Sequence, residues 1–124
     1  MKLTILFSTA LFMFLMQCDT AAIKTTCGVA IPTEELPWLK TKTNELKQTS
    51  LYELGQVYIW QTEYNGETYF IFDNCCPNCD SVLSIYTCDG EDVSTNQTIS
   101  DYIYGIDKSN KDVIWTPENF SCNL

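Results

Sequence analysis

The densest reactive stretch of the chain is Cys75-Cys76-Pro77-Asn78-Cys79, which contains a Cys-x-x-Cys spacing. Thiol redox catalysis, zinc binding and structural disulfides all use that spacing. Redox catalysis needs a thiolate of lowered pKa, normally at a helix N-terminus that follows a strand. Here Asp80, Ser81 and an apparent strand follow Cys79, and no cation adjoins. Asp73 and Asp80 would push a nearby thiol pKa up, the wrong direction for a nucleophile. Cys76, Cys79, Cys88 and Cys122 could close a tetrahedral zinc site, but the pair of matched knuckles usual for zinc is absent. The cysteines are therefore expected to form disulfides.

Composition narrows the remaining chemistry. The chain has 124 residues and no His, and all 7 of its basic residues are Lys. Ser-His-Asp and Cys-His catalysis, His-ligated metals and arginine phosphate clamps are therefore excluded. The net charge of −9 argues against a nucleic-acid partner, which requires a basic footprint. Asp89-Gly90-Glu91-Asp92 is acidic but lacks the alternating ligand spacing of a calcium loop, and so reads as a charged hairpin turn. No pocket for paired glycosidase carboxylates can be read from the sequence. The expectation is a protein with no enzymatic activity, no cofactor and no metal. Asn96-Gln97-Thr98 and Asn119-Phe120-Ser121 have the form of glycosylation sequons, which matter only in a eukaryotic source.

The N-terminus bears on where these thiols reside. Lys2 precedes an apolar run, Leu3 to Met16, broken only by Ser8 and Thr9. That pattern fits a signal peptide and is too short to span a bilayer comfortably. Leu15-Met16-Gln17-Cys18 has the Leu and Cys of a lipobox, the signal for cleavage and lipid attachment at Cys18. The alternative is cleavage after Ala22. Either route leaves Cys27, Cys75, Cys76, Cys79, Cys88 and Cys122, an even set suited to three bridges in an oxidising compartment. Adjacent Cys75 and Cys76 point to opposite sides of a continuing strand and so need different partners. Hairpin geometry favours a bridge from the cluster to Cys88, while Cys27 and Cys122 are placed to tie the termini to the sheet.

The expected organisation is a lipoprotein-type signal peptide over residues 1–17, a polar tether over 18–26 and one domain over 27–124. Thr33 as a cap, with Glu34 and Glu35 behind it, predicts a helix start, and Leu36, Leu39, Thr43 and Leu46 form its apolar stripe through about Gln48. Trp38 lies beside that stripe and is placed to cover the sheet edge. Val57 to Tyr64 and Thr68 to Phe72 are rich in β-branched and aromatic residues, and Asn65-Gly66 between them is a two-residue hairpin turn that pairs Tyr64 with Glu67. Val82 to Thr87 and Asp92 to Thr95 predict a second hairpin, with shorter strands at Tyr102 to Ile106 and Val113 to Trp115. The fold class is thus α+β: one N-terminal helix packed on an antiparallel sheet of four to six strands, tied by disulfides. One face of the first hairpin carries Val57, Ile59, Phe70 and Phe72, the seat for the helix. The other carries Tyr58, Trp60, Tyr64, Tyr69 and Ile71. If the later strands extend the sheet, this aromatic face is open and available for binding; the alternative is that the C-terminal segment around Trp115 and Phe120 folds over it.

Three stretches together resemble a group of small, uncharacterised lipoproteins of Bacteroidota. They are Glu35-Leu36-Pro37-Trp38-Leu39-Lys40, then Tyr64-Asn65-Gly66-Glu67-Thr68-Tyr69-Phe70 running to Asp73-Asn74-Cys75-Cys76, and Lys111-Asp112-Val113-Ile114-Trp115. Between Asp92 and Asp107 the sequence departs from that group, which tends to have a Gly-rich segment with a further Cys there. The resemblance implies export and a lipid anchor and brings no activity with it. The function expected is a non-catalytic, lipid-anchored envelope protein, on the periplasmic or cell-surface side of a membrane, that meets a protein or glycan partner. The alternative is a secreted inhibitor of a hydrolase, an analogy at the level of fold.

Overall fold

The computed structural model describes residues 22–80 and 82–124. The signal peptide expected over 1–17, Cys18 and the first part of the tether lie outside them. Near the start of the described residues is a tight turn in which Thr26 and Val29 exchange backbone hydrogen bonds, with Cys27 and Gly28 both at positive φ.

The helix expected through about Gln48 is instead three short pieces, α1 (Pro32–Glu35), α2 (Pro37–Leu46) and α3 (Ser50–Glu53). Pro37 is the cause of the first break. A proline disfavours the helical conformation of the residue before it, and Leu36 is extended at φ −88°, ψ 111°. Pro37 then occupies the first turn of α2, where its missing N–H costs nothing. Thr49 caps α3, its side chain accepting from the Tyr52 N–H.

The sheet has four antiparallel strands in the order β3-β2-β1-β4: β1 (Val57–Tyr64), β2 (Glu67–Asn74), β3 (Ser84–Thr87) and β4 (Asp112–Trp115). Asn65 and Gly66 stand at φ 51° and 78°, as a two-residue hairpin turn demands, and Tyr64 pairs with Glu67. The second hairpin is only rudimentary. Thr87 to Glu91 form a turn, Asp92 makes a single bridge to Tyr86, and the chain then leaves the sheet.

A helix replaces the strand expected at Tyr102 to Ile106. Residues Gln97–Tyr104 form α4, with Asn96 as its cap accepting from the Ile99 N–H. Ile99 and Ile103, four residues apart, fall on one helical face and are both buried. The expected face-to-core relation therefore changes. On one face of the sheet Ile59 and Phe70 pack with Leu39 of α2, flanked by Trp38, Leu46 and Trp115. On the other, Tyr58, Trp60, Tyr69, Ile71 and Ile85 pack with Ile99 and Ile103 of α4, and Phe120 closes over them.

Candidate functional site

The open aromatic face does not exist in the fold. Trp60 and Ile71 are 0% exposed, Tyr58 2% and Tyr69 4%; Tyr64 alone of the five remains partly exposed, its ring tilted against Tyr102 of α4 with centroids 4.5 Å apart. The cover is α4 and the C-terminal segment. The later strands β3 and β4 do extend the sheet, and the face is closed because α4 and the C-terminal segment lie across it.

The six cysteines form three bridges: Cys27–Cys88, Cys75–Cys122 and Cys76–Cys79. Adjacent Cys75 and Cys76 do take different partners. The bridge expected from the cluster to Cys88 is replaced by Cys27–Cys88, because the Cys27 turn lies against the β3 turn, with 5.6 Å between the two Cα atoms. Cys75–Cys122 ties the end of β2 to the C-terminal segment. Cys76 and Cys79 pair locally, in the connection that leaves β2. Cys76, Cys79, Cys88 and Cys122, the tetrahedral set considered for zinc, are distributed over all three bridges. Among the described residues, no group of three or more His, Cys, Asp or Glu is placed to hold a metal. These bridges place the folded chain in an oxidising, non-cytoplasmic location. No helix among the described residues is long and apolar enough to cross a membrane.

The main polar constellation inside the fold escaped sequence analysis. The Lys111 ammonium lies 2.7 Å from Asp73 Oδ2, with both side chains largely buried. Tyr58 Oη–H and Trp60 Nε1–H donate to the same carboxylate oxygen at 2.9 and 3.0 Å, and Lys111 donates to Tyr58 Oη at 3.0 Å. Asp73 Oδ1 accepts from the Asn74 N–H. Lys111 Nζ also sits 5.0 Å from the Trp60 ring centroid and 5.4 Å from that of Tyr58, a cation–π arrangement. β1 supplies Tyr58 and Trp60, β2 supplies Asp73, and Lys111 directly precedes β4. A cavity of about 160 Å³ adjoins the cluster, lined also by Leu83, Ile103, Tyr104 and Ile106.

The electrostatics assign this cluster a holding role. Burial opposes the charge on Lys111, but its bonds to Asp73 and Tyr58 outweigh that cost and raise its pKa. Burial raises the Tyr58 pKa, and Asp73 adds to this while Lys111 opposes it. At neutral pH the lysine is therefore an ammonium and the tyrosine a neutral phenol, so neither is poised as a base or nucleophile. The sequence carried a faint signal of the pair: Asp73 ends the apolar run Phe70-Ile71-Phe72, and Lys111 immediately precedes a strand.

On the opposite side, Trp38 packs over the face of β2 and β3 rather than covering the sheet edge. Its indole N–H donates to the Cys88 carbonyl at 2.8 Å and its ring meets Phe70 and Tyr86. Asp89 to Asp92 thus form a turn held against Trp38 and the Cys27–Cys88 bridge.

Comparison with family models, with curated proteins and with solved structures finds no match to this chain.

Proposed function

We propose that this chain is a non-catalytic, exported binding or accessory protein, anchored to a bacterial envelope membrane by lipid on Cys18. The observation that carries this reading is the full pairing of the six cysteines after Cys18, in a chain whose Lys2 is followed by the apolar run Leu3 to Met16. Secretion supplies the oxidant such a set needs, and a small domain gains much of its stability from such bridges. The resemblance to Bacteroidota lipoproteins favours Cys18 as the mature N-terminus over cleavage after Ala22. The buried Lys111–Asp73 cluster supports a non-catalytic role, because its charges are spent on each other.

With both sheet faces covered, a protein or glycan partner would meet the turns and the outer faces of the helices. Ile31, Leu54, Val82 and Tyr104 are the large apolar side chains most exposed there. Intact mass of the native mature protein tests the anchor: an acylated Cys18 supports it, and an unmodified N-terminus at Ile23 overturns it. Cys18→Ser should release the protein from membranes. A pull-down from envelope extracts tests the accessory role, since recovery of a single hydrolase would make the protein an inhibitor instead.

A further inference from the structure

We infer that Cys76–Cys79 is a thiol–disulfide exchange site, reducible by a dithiol while the other two bridges and the fold remain intact. The three bridges are not equivalent in what they hold. Cys27–Cys88 spans 61 residues and joins the N-terminal turn to the turn after β3, and Cys75–Cys122 spans 47 and joins β2 to the C-terminal segment. Cys76–Cys79 spans 3 and encloses only Pro77 and Asn78. A ring this small restricts the unfolded chain least, so the fold depends on it least. It joins no two elements, since both cysteines belong to the connection between β2 and β3.

Its surroundings permit attack. Pro77, Asn78 and Asp80 are exposed and the two cysteines half-buried. Of the two acids flanking the cluster, Asp73 has its carboxylate turned inward onto Lys111, Tyr58 and Trp60, while Asp80 remains exposed. Among the described residues, Cys76 and Cys79 lie outside every helix and at no helix start. The bridge is therefore suited to being the disulfide that is attacked rather than the enzyme that attacks.

The exchange balances with an external dithiol, either a small molecule or a Cys-x-x-Cys protein. Its thiolate attacks one sulfur of the bridge, the sulfur–sulfur bond breaks, and the other cysteine departs as a thiolate that takes up a proton. The second thiol of the reductant then resolves the mixed disulfide. Two electrons and two protons move to Cys76 and Cys79, and the reductant leaves as its own disulfide.

The inference is independent of anchoring and of any partner. It is tested on the native, full mature chain with dithiothreitol and no denaturant, with timed alkylation and peptide mass mapping. Cys76 and Cys79 should be alkylated together at least tenfold sooner than the other four cysteines, with the circular dichroism spectrum unchanged. A Cys76→Ser/Cys79→Ser double variant should fold and lack the early phase. The inference is overturned if the three bridges open together, if Cys76–Cys79 opens last, if Cys122 is alkylated in the early phase, or if the double variant does not fold.

Discussion

Lys111 and Asp73 lie 38 residues apart in sequence and 2.7 Å apart in space, joined across the floor of the sheet that α4 covers. Three donors converge on one carboxylate oxygen, and the lysine alone brings the compensating charge. Removing one partner of a buried pair strands the other, which costs more than the pair is worth. Lys111→Met should therefore destabilise the fold by about 3 kcal/mol, measured as a shift in the urea midpoint with unchanged m-value.

Trp60 is fully buried between the sheet and α4 and donates to Asp73. Trp60→Ala should cost about 3–5 kcal/mol, a core loss that thermal unfolding resolves easily. Trp60→Phe keeps most of the ring and loses only the N–H, so a loss nearer 1–2 kcal/mol is expected, on the order of one hydrogen bond and some volume. Equal losses in both variants would locate the effect in the hydrogen bond.

These two residues mark the boundary of what sequence could show. The first hairpin was legible because its determinants are local: Asn65-Gly66 specifies the turn, the turn specifies register, and register sorts the two faces. β4 was legible from Val113-Ile114-Trp115 for the same reason. What covers the aromatic face was legible only in part: the C-terminal segment with Phe120 was one of two readings, while α4 depends on which way the chain turns after Asp92. The decisive local signal was Asn96, which caps α4 and brings Ile99 and Ile103 into phase. Tyr102, Ile103 and Tyr104 taken alone have strand chemistry, and the cap outweighs them. The Lys111–Asp73 pair and the bridge from Cys27 to Cys88 are long-range, and no local spacing encodes them.

Gly90 stands at φ 81°, and a Cβ there would come within 2.8 Å of the Trp38 ring. Gly90→Ala would combine a disfavoured backbone with displacement of the indole that donates to the Cys88 carbonyl. A loss of at least ~1 kcal/mol is expected, with a change in Trp38 fluorescence. Gly66→Ala is the comparison: its φ is also positive, but no atom lies within 4 Å of the added Cβ, so the loss should be smaller and the fluorescence unchanged.

The long bridges should outweigh the short one in equilibrium stability. On the chain-entropy model, Cys75–Cys122 and Cys27–Cys88 each contribute about 4 kcal/mol and Cys76–Cys79 about 2 kcal/mol. Paired Cys→Ser variants, each removing one bridge, should lose clearly more stability in chemical denaturation for either long bridge than for Cys76–Cys79.

Alkaline pH should weaken the fold through the same buried cluster. Lys111 and Tyr58 both have folded-state pKa values raised above the ordinary 10.5 and 10.0, so the folded chain holds these protons when the unfolded chain has begun to lose them. The unfolded state then binds fewer protons, and unfolding free energy falls as pH rises. Their contribution is complete below pH ~10 and is lost as pH climbs through the folded-state values. Tyr69 adds to the fall with the same sign, because burial and its hydrogen bond to Glu67 raise its pKa as well. Urea unfolding of the wild type at about pH 8 and about pH 11 should show the decline. Lys111→Met also removes the bond that lowers the Tyr58 pKa, so the double variant Lys111→Met/Tyr58→Phe is the cleaner test: its decline should be shallower but still present, since Tyr69 retains its environment. A slope unchanged in that double variant would mean that the buried cluster is not a source of the alkaline loss.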